Sequence, residues 1–287
     1  MTIDELPERP VDPDWLALRE PADARSRDGA ADTIMPPLLR ALAGRSGPGR
    51  NGQPGLRVVD LGAGTGANLR WLAPRLAALG GPAGLGEQQW TLVDHDPRLR
   101  AWGPAASTTI RADVAELARV LPGIGGADLV TAAALLDLLD EPQLAAVVDA
   151  VVAQQVPALF TLSVTGAVTL DPEDPADAGL AAAFDAHQRR EGRLGPDAGA
   201  RVAELFRHRG WVVVQAQTPW QLRQDQPDLL RSWLAGRAEA AVEWQPELAG
   251  PAQAWLQRRH RELDGGGLSA VVGHLDVLAL PSAASDD

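Results

Sequence analysis

The stretch that most constrains this chain is Val58-Val59-Asp60-Leu61-Gly62-Ala63-Gly64-Thr65-Gly66-Ala67-Asn68. An apolar run ends in an acid, glycines follow at alternate positions, and a helical pattern begins at Asn68. Glycine lets the backbone turn tightly and lets a ligand approach the main chain. The start of a helix offers free N–H groups and a partial positive charge. A strand–turn–helix unit built for a nucleotide is the reading, and a tight turn without a ligand is its plain alternative.

The same alternation recurs along the chain. After a Gly- and Pro-rich linker at 44–55, strands are predicted at 56–61, 90–93, 108–110, 127–133 and 158–164. Helices are predicted at 68–79, where Pro74 should introduce a kink, and at 142–152, where Leu144, Val147, Val148 and Val151 share a face. Such alternation implies an α/β fold with a mostly parallel sheet covered by helices on both faces. Residues 13–43 read as two helical pieces, so 1–45 is expected to form a helical N-terminal cap, with the main domain over 56–287. The last third adds a helix at 198–208, a strand at 211–216 and a β-rich stretch at 268–280. Between the last two lies a helical insertion at about 222–265, with Leu230, Trp233, Leu234, Arg237 and Ala241 at helical steps.

Composition removes several classes. With no cysteine among 287 residues, disulfides, zinc–thiolate sites and cysteine nucleophiles are excluded. No apolar run is long enough to cross a membrane, and the acidic, Pro-rich N-terminus is unlike a signal peptide, so a cytoplasmic protein is expected. The net charge of −12 argues against nucleic acid as a partner. The groups Arg189, Arg190, Arg193 and Arg258, Arg259, Arg261 are interleaved with acids and read as solvated helix faces.

Two kinds of nucleotide fit the glycine turn. Gly62-x-Gly64-x-x-Ala67 satisfies a dinucleotide fingerprint. Asp60 opposes that choice, because a carboxylate there would repel a diphosphate; it suits a ligand carrying an ammonium and a sulfonium. VVDLGAGTG resembles the first motif of class I, Rossmann-like S-adenosylmethionine-dependent methyltransferases. The resemblance spans about residues 56–165 and implies a seven-stranded sheet whose last two strands are antiparallel. It also implies S-adenosylmethionine as cofactor, held by Asp60, Gly62, Ala63, Gly64, Gly66 and Asn68. A second strand ending in an acid should bind the ribose hydroxyls. Asp94 fits that place, with His95 next to it as a further cofactor-binding residue and Asp96 as the rival acid. Asp113 would lie near the adenine, and Asp128 would open the fourth strand. Arg19, from the N-terminal helix, would meet the cofactor carboxylate or form a surface ion pair.

Methyl transfer mainly requires alignment, and a base only if the acceptor loses a proton. The segment Thr131-Ala132-Ala133-Ala134-Leu135-Leu136-Asp137 lacks the Asn/Asp-Pro-Pro-aromatic motif of many nucleic-acid and protein N-methyltransferases. It also lacks the Asp-Asn pair of metal-dependent relatives, so no metal is expected. Asp137 and His187 are the candidate bases. Trp220, Trp233, Trp244 and Trp255 would line a pocket, pack in a core or join subunits of a homodimer. The expectation is a methyltransferase for a small-molecule acceptor. An RNA methyltransferase, an NAD(P)-dependent oxidoreductase and a non-catalytic cofactor-binding module are the alternatives.

Overall fold

The computed structural model describes residues 11–43, 45, 47–48, 54–79, 87–96 and 107–282. Most of the linker at 44–55 and the loop at 80–86 lie outside the described residues.

Two helices open the chain, α1 (Pro13–Asp28) and α2 (Ala31–Leu42). Asp12 caps α1 through Asp14 N–H, and Pro13 occupies its first turn. The two-residue strand β1 (Gly47–Pro48) pairs antiparallel with the start of β2 (Pro54–Leu61). Next come α3 (Ala67–Leu79), which continues through Pro74, then β3 (Glu87–Asp94), β4 (Thr108–Arg111), α4 (Leu117–Gly123), β5 (Leu129–Ala133) and α5 (Glu141–Gln154). A capping box between Asp140 and Gln143 starts α5. The chain continues as β6 (Ala158–Asp171), α6 (Asp177–Gln188), α7 (Ala198–His208), β7 (Val212–Gln217) and β8 (Trp220–Leu222). It ends with α8 (Pro227–Trp244), α9 (Ala249–Asp264) and β9 (Ser269–Leu280).

The main sheet runs β4-β3-β2-β5-β6-β9-β7. The first five strands are parallel, and β9 pairs antiparallel with both β6 and β7. This is the Rossmann-like, mostly parallel seven-stranded sheet, with β1 and β8 as short additions. The order reverses at β2: the chain moves outward through β3 and β4, then returns to place β5 on the other side. Open α/β sheets bind ligands at such a switch point, outside the C-terminal ends of the strands.

Apolar side chains fill both faces. On one, Val147, Val148 and Val151 of α5 and Val202 and Phe206 of α7 pack over Val59, Val130 and Phe160. On the other, Leu38 and Leu42 of α2 and Leu72 and Leu76 of α3 pack over Val58, Leu92 and Leu278. A third core joins α8 and α9 to α1, β8 and the outer halves of β6 and β9, through Leu230, Leu234, Trp255 and Val272.

Two expectations need correction, and some elements were not expected at all. The strand predicted at 158–164 extends to Asp171, with two breaks of register against β9. The helices α4 and α6 and the strand β8 were not predicted. Arg259 is not on a solvated face: it is fully buried, paired with Asp177 at 2.6 Å and Glu262 at 2.7 Å, and donates to Pro172 O. Its neighbours Arg258 and Arg261 remain accessible, Arg258 pairing with Asp174.

Candidate functional site

The glycine turn and the acid of the second strand meet at the switch point. Gly62, Gly64 and Gly66 all have positive φ, at 58°, 53° and 82°. Glycine is required at Gly62 for a second reason, since a Cβ there would lie 2.6 Å from Leu135 Cδ1 in the segment after β5. Gly64 N–H donates to Asp94 Oδ2 at 2.8 Å, and Asp96 N–H donates to Asp94 Oδ1 at 2.9 Å. Ala63 N–H donates to Val93 O. The turn is thereby pinned to the end of β3. His95 is largely exposed, with Nδ1 3.6 Å from Asp94 Oδ1. Asp113 is exposed just past β4, one residue beyond the Ala112 N–H that donates to Asp94 O.

Asp60 is completely buried beneath this turn. Asn68 Nδ2 donates to Asp60 Oδ1 at 2.7 Å and to Thr131 Oγ1 at 3.1 Å, and Arg27 Nη1 donates to Asn68 Oδ1 at 3.0 Å. Among the described residues Asp60 Oδ2 has no hydrogen-bond partner. Burial pushes the carboxyl up to about 7, against the opposing pull of Asn68 and the Arg27 charge.

Helix α1 covers the turn. Leu16 Cδ1 sits 3.4 Å from where a Gly64 Cβ would be. Arg70 of α3 donates to Thr65 O and pairs with Glu20 of α1 at 2.6 Å. On the far side of α1, Asp23 accepts from Trp220 Nε1 at 2.9 Å and from Arg19 Nε at 2.8 Å, and Ser26 Oγ donates to Thr218 O. Arg19 is therefore paired with Asp23, its guanidinium 5.8 Å from the centre of the Trp220 ring.

A cavity of about 190 Å³ lies beside this turn. The two are one residue apart along two segments: Trp15 and Arg19 line the cavity while Leu16 touches the turn, and Ala134 and Asp137 line it while Leu135 touches the turn. Its walls are Trp15, Phe184, Trp220 and Trp233, and its polar lining includes Arg19, Asp137, Gln188, Arg237 and His274. Two lining residues, Ala134 and Leu162, have positive φ although neither is glycine. Such backbone is costly and gathers at functional sites.

Asp137 is half-buried on the short helical turn Leu136–Leu138. Burial raises its carboxyl, opposed by its own backbone and by the Arg19 and Arg193 charges. His187 is not part of the cavity wall: Nε2 lies 3.1 Å from Glu243 Oε2 and Nδ1 2.8 Å from Arg190 Nη1. Asp128 sits at the opposite end of the sheet, where Arg57 clamps it through its backbone N–H, Nε and Nη2. Of the tryptophans, Trp220 and Trp233 wall the cavity, Trp255 is core, and Trp244 is exposed.

Among the cavity residues that sequence reasoning missed are His274 and Arg237. His274 is 3% exposed and stacks on Trp220 at 4.9 Å; its Nδ1–H donates to Val272 O, which leaves Nε2 as the basic nitrogen. Burial holds its imidazole down at about 4, so it is neutral at pH 7. Arg237 was visible, since it occupies a step of the apolar stripe of α8. A charge on a stripe position was its signal.

No family model and no curated protein matches the chain. Solved structures do. Phosphoethanolamine N-methyltransferase 2 of Haemonchus contortus, in complex with phosphomonomethylethanolamine and S-adenosylhomocysteine, is 13% identical over 96% of this chain, with a TM-score of 0.42. This chain covers 62% of that protein's length. S-adenosylmethionine-dependent methyltransferases of Geobacter sulfurreducens (16% identical, 92% of this chain and 98% of that one, TM-score 0.38) and Thiobacillus denitrificans (15%, 96% and 100%, 0.40) were solved with S-adenosyl-L-homocysteine. At such distances the functional reading rests on the chain's own residues.

Proposed function

We propose that the protein is an S-adenosylmethionine-dependent methyltransferase acting on a small-molecule acceptor. The observation that carries this reading is the orphaned Oδ2 of Asp60, buried under a turn of bare backbone. A buried carboxylate oxygen without a partner is costly. An ammonium group at the turn would satisfy it, whereas a diphosphate would be repelled, so the residues present fit this cofactor and not a dinucleotide. Asp94 keeps lone pairs beyond those used by Gly64 and Asp96, and a carboxylate can accept from two ribose hydroxyls. The exposed His95 and Asp113 flank the nucleoside end, and Gly64 and Gly66 admit the ligand to the main chain.

When bound, S-adenosylmethionine supplies a methyl group already activated by a sulfonium. The chain's part is to align the acceptor and exclude water, and the adjoining aromatic cavity suits that task. If the acceptor carries a proton, Asp137 is placed to take it, because burial makes its carboxylate more basic than usual. His187, with both ring nitrogens engaged outside the cavity, is a positioning residue for α6 and α8 in this reading.

Calorimetry with S-adenosylhomocysteine tests the proposal. Wild type should bind, and Asp94→Ala should weaken binding by at least about tenfold, roughly 1.4 kcal/mol. Unchanged affinity in the variant would remove the ribose assignment. Thermal protection by NADPH but not by S-adenosylhomocysteine would overturn the whole reading.

A further inference from the structure

Arg237 is the most unusual charge in the cavity wall. It is 6% exposed, and its guanidinium lies 4.3 Å from the Phe184 ring centre and 5.0 Å from that of Trp233. Among the described residues it has neither a hydrogen-bond acceptor nor an ion-pair partner. The other deeply buried arginines differ: Arg27 bonds Asn68 and Asp23 O, and Arg259 bonds Asp177, Glu262 and Pro172 O. A buried cation without a partner is strongly disfavoured unless something else neutralises it. Ring faces supply only part of that. Burial accordingly drags the guanidinium down to about 10, with Asp185 and Asp177 opposing from a distance.

We propose that the acceptor is a small ring-bearing carboxylic acid, bound with its carboxylate on Arg237 and its ring among Trp15, Phe184, Trp220 and Trp233. This rests on the methyltransferase reading for the word acceptor, but the binding claim stands on the cavity alone. Size agrees: an engineered cavity of roughly 150 Å³ admits benzene, and this one measures about 190 Å³. A guanidinium presents two parallel N–H donors that match one carboxylate. Charge favours a monoanion over a phosphate. Arg19 is already neutralised by Asp23, Asp137 lines the same space, and Asp185 Oδ2 lies behind Gly166, 3.0 Å from where its Cβ would be. A dianion would meet those carboxylates with one cation to compensate it.

Benzoate, benzamide and phenyl phosphate are the probes, titrated by calorimetry into the full-length protein saturated with S-adenosylhomocysteine, and again without it. Benzoate should bind at least about tenfold more tightly than benzamide and than phenyl phosphate. Arg237→Met, which keeps the stem on the rings, should reduce benzoate to the benzamide level while leaving S-adenosylhomocysteine affinity within about twofold. Arg237→Lys should fall between. Absent benzoate binding, equal binding of benzoate and benzamide, tighter binding of phenyl phosphate, or an Arg237→Met protein that binds benzoate like wild type each overturns the proposal. Should Arg237→Met not fold, the benzoate–benzamide comparison on the unaltered protein decides. Benzoate binding without S-adenosylhomocysteine binding would sink the methyltransferase reading and leave this one standing; the reverse result would do the opposite.

Discussion

At Asp60 two opposing effects meet on one carboxyl. Burial favours the protonated form, while Asn68 and Arg27 favour the charged one, and burial prevails. With a folded pKa of about 7 against an ordinary 3.8, the group costs stability as pH rises through about 4 to 7, because the unfolded chain ionises first. Asp276, buried and raised to about 6, acts in the same direction; buried His274, lowered to about 4, acts oppositely between about 4 and 6.5. Asp60→Asn isolates the first contribution: its stability relative to wild type should rise between about pH 4 and 7. An ammonium on Oδ2 would pull the pKa back down. At pH 7 cofactor binding should then release up to about half a proton. S-adenosylhomocysteine binding enthalpies measured in buffers of different ionisation heat should vary for wild type and stay constant for Asp60→Asn. A buffer-independent enthalpy in wild type would mean that the ammonium does not pair with Asp60.

Helix α1 shows how an element can be fixed by polar groups. Its buried residues are Ala22, Asp23, Ser26 and Arg27, so hardly any apolar periodicity marks that face. It is held through Arg27 to Asn68, Asp23 to Trp220, and Ser26 to Thr218. Arg27→Met removes the cation that faces Asp23, Asp60 and Asp276, and should cost about 3 kcal/mol in urea unfolding, as breaking a buried charge network does. In Arg27→Met/Asp60→Asn part of that loss should return, with a coupling of about 1 kcal/mol or more; strict additivity would show that the two groups act independently. The same contrast explains which elements the sequence made legible. Elements with apolar stripes, such as α5 and α8, and the strand–glycine–helix unit announce themselves locally. The outer half of β6 does not, because residues 164–169 are partly or fully exposed and its partner is β9, about a hundred residues on. The cavity was invisible for that reason, since β6 and β9 approach only in the folded chain. Gly273 marks a tight point between them: a Cβ there would collide with Thr165 Oγ1 and sit 3.1 Å from Ala167. Gly273→Ala should lower stability by about 1–3 kcal/mol, read as a drop in Tm, and weaken benzoate binding at the wall it helps form. An unchanged Tm would show that the strands yield there at no cost.

On the scale of the molecule, much of the basic charge is engaged within the chain. All 26 basic residues are arginine, against 38 acids, for a net charge of −12. Arginine is weakly hydrated and tolerates burial against rings and carboxylates better than lysine. Arg27, Arg237 and Arg259 are each 6% exposed or less, and others are spent on ion pairs with Glu20, Asp128, Glu141 and Asp174. A sequence count of basic residues therefore overstates what is free to meet phosphates. The candidate acceptor space is a small aromatic cavity, whereas RNA needs an open basic track. Each phosphate neutralised by a free cation steepens the salt dependence of binding by about 0.7–0.9 in log–log slope, and many of the arginines among the described residues are already paired. Labelled single-stranded and hairpin RNAs should accordingly give no anisotropy change with micromolar protein at about 50 mM salt, a condition that favours electrostatic association. Saturable binding there, lost on raising salt to about 200 mM, would show that a basic track exists and would make RNA a candidate acceptor again.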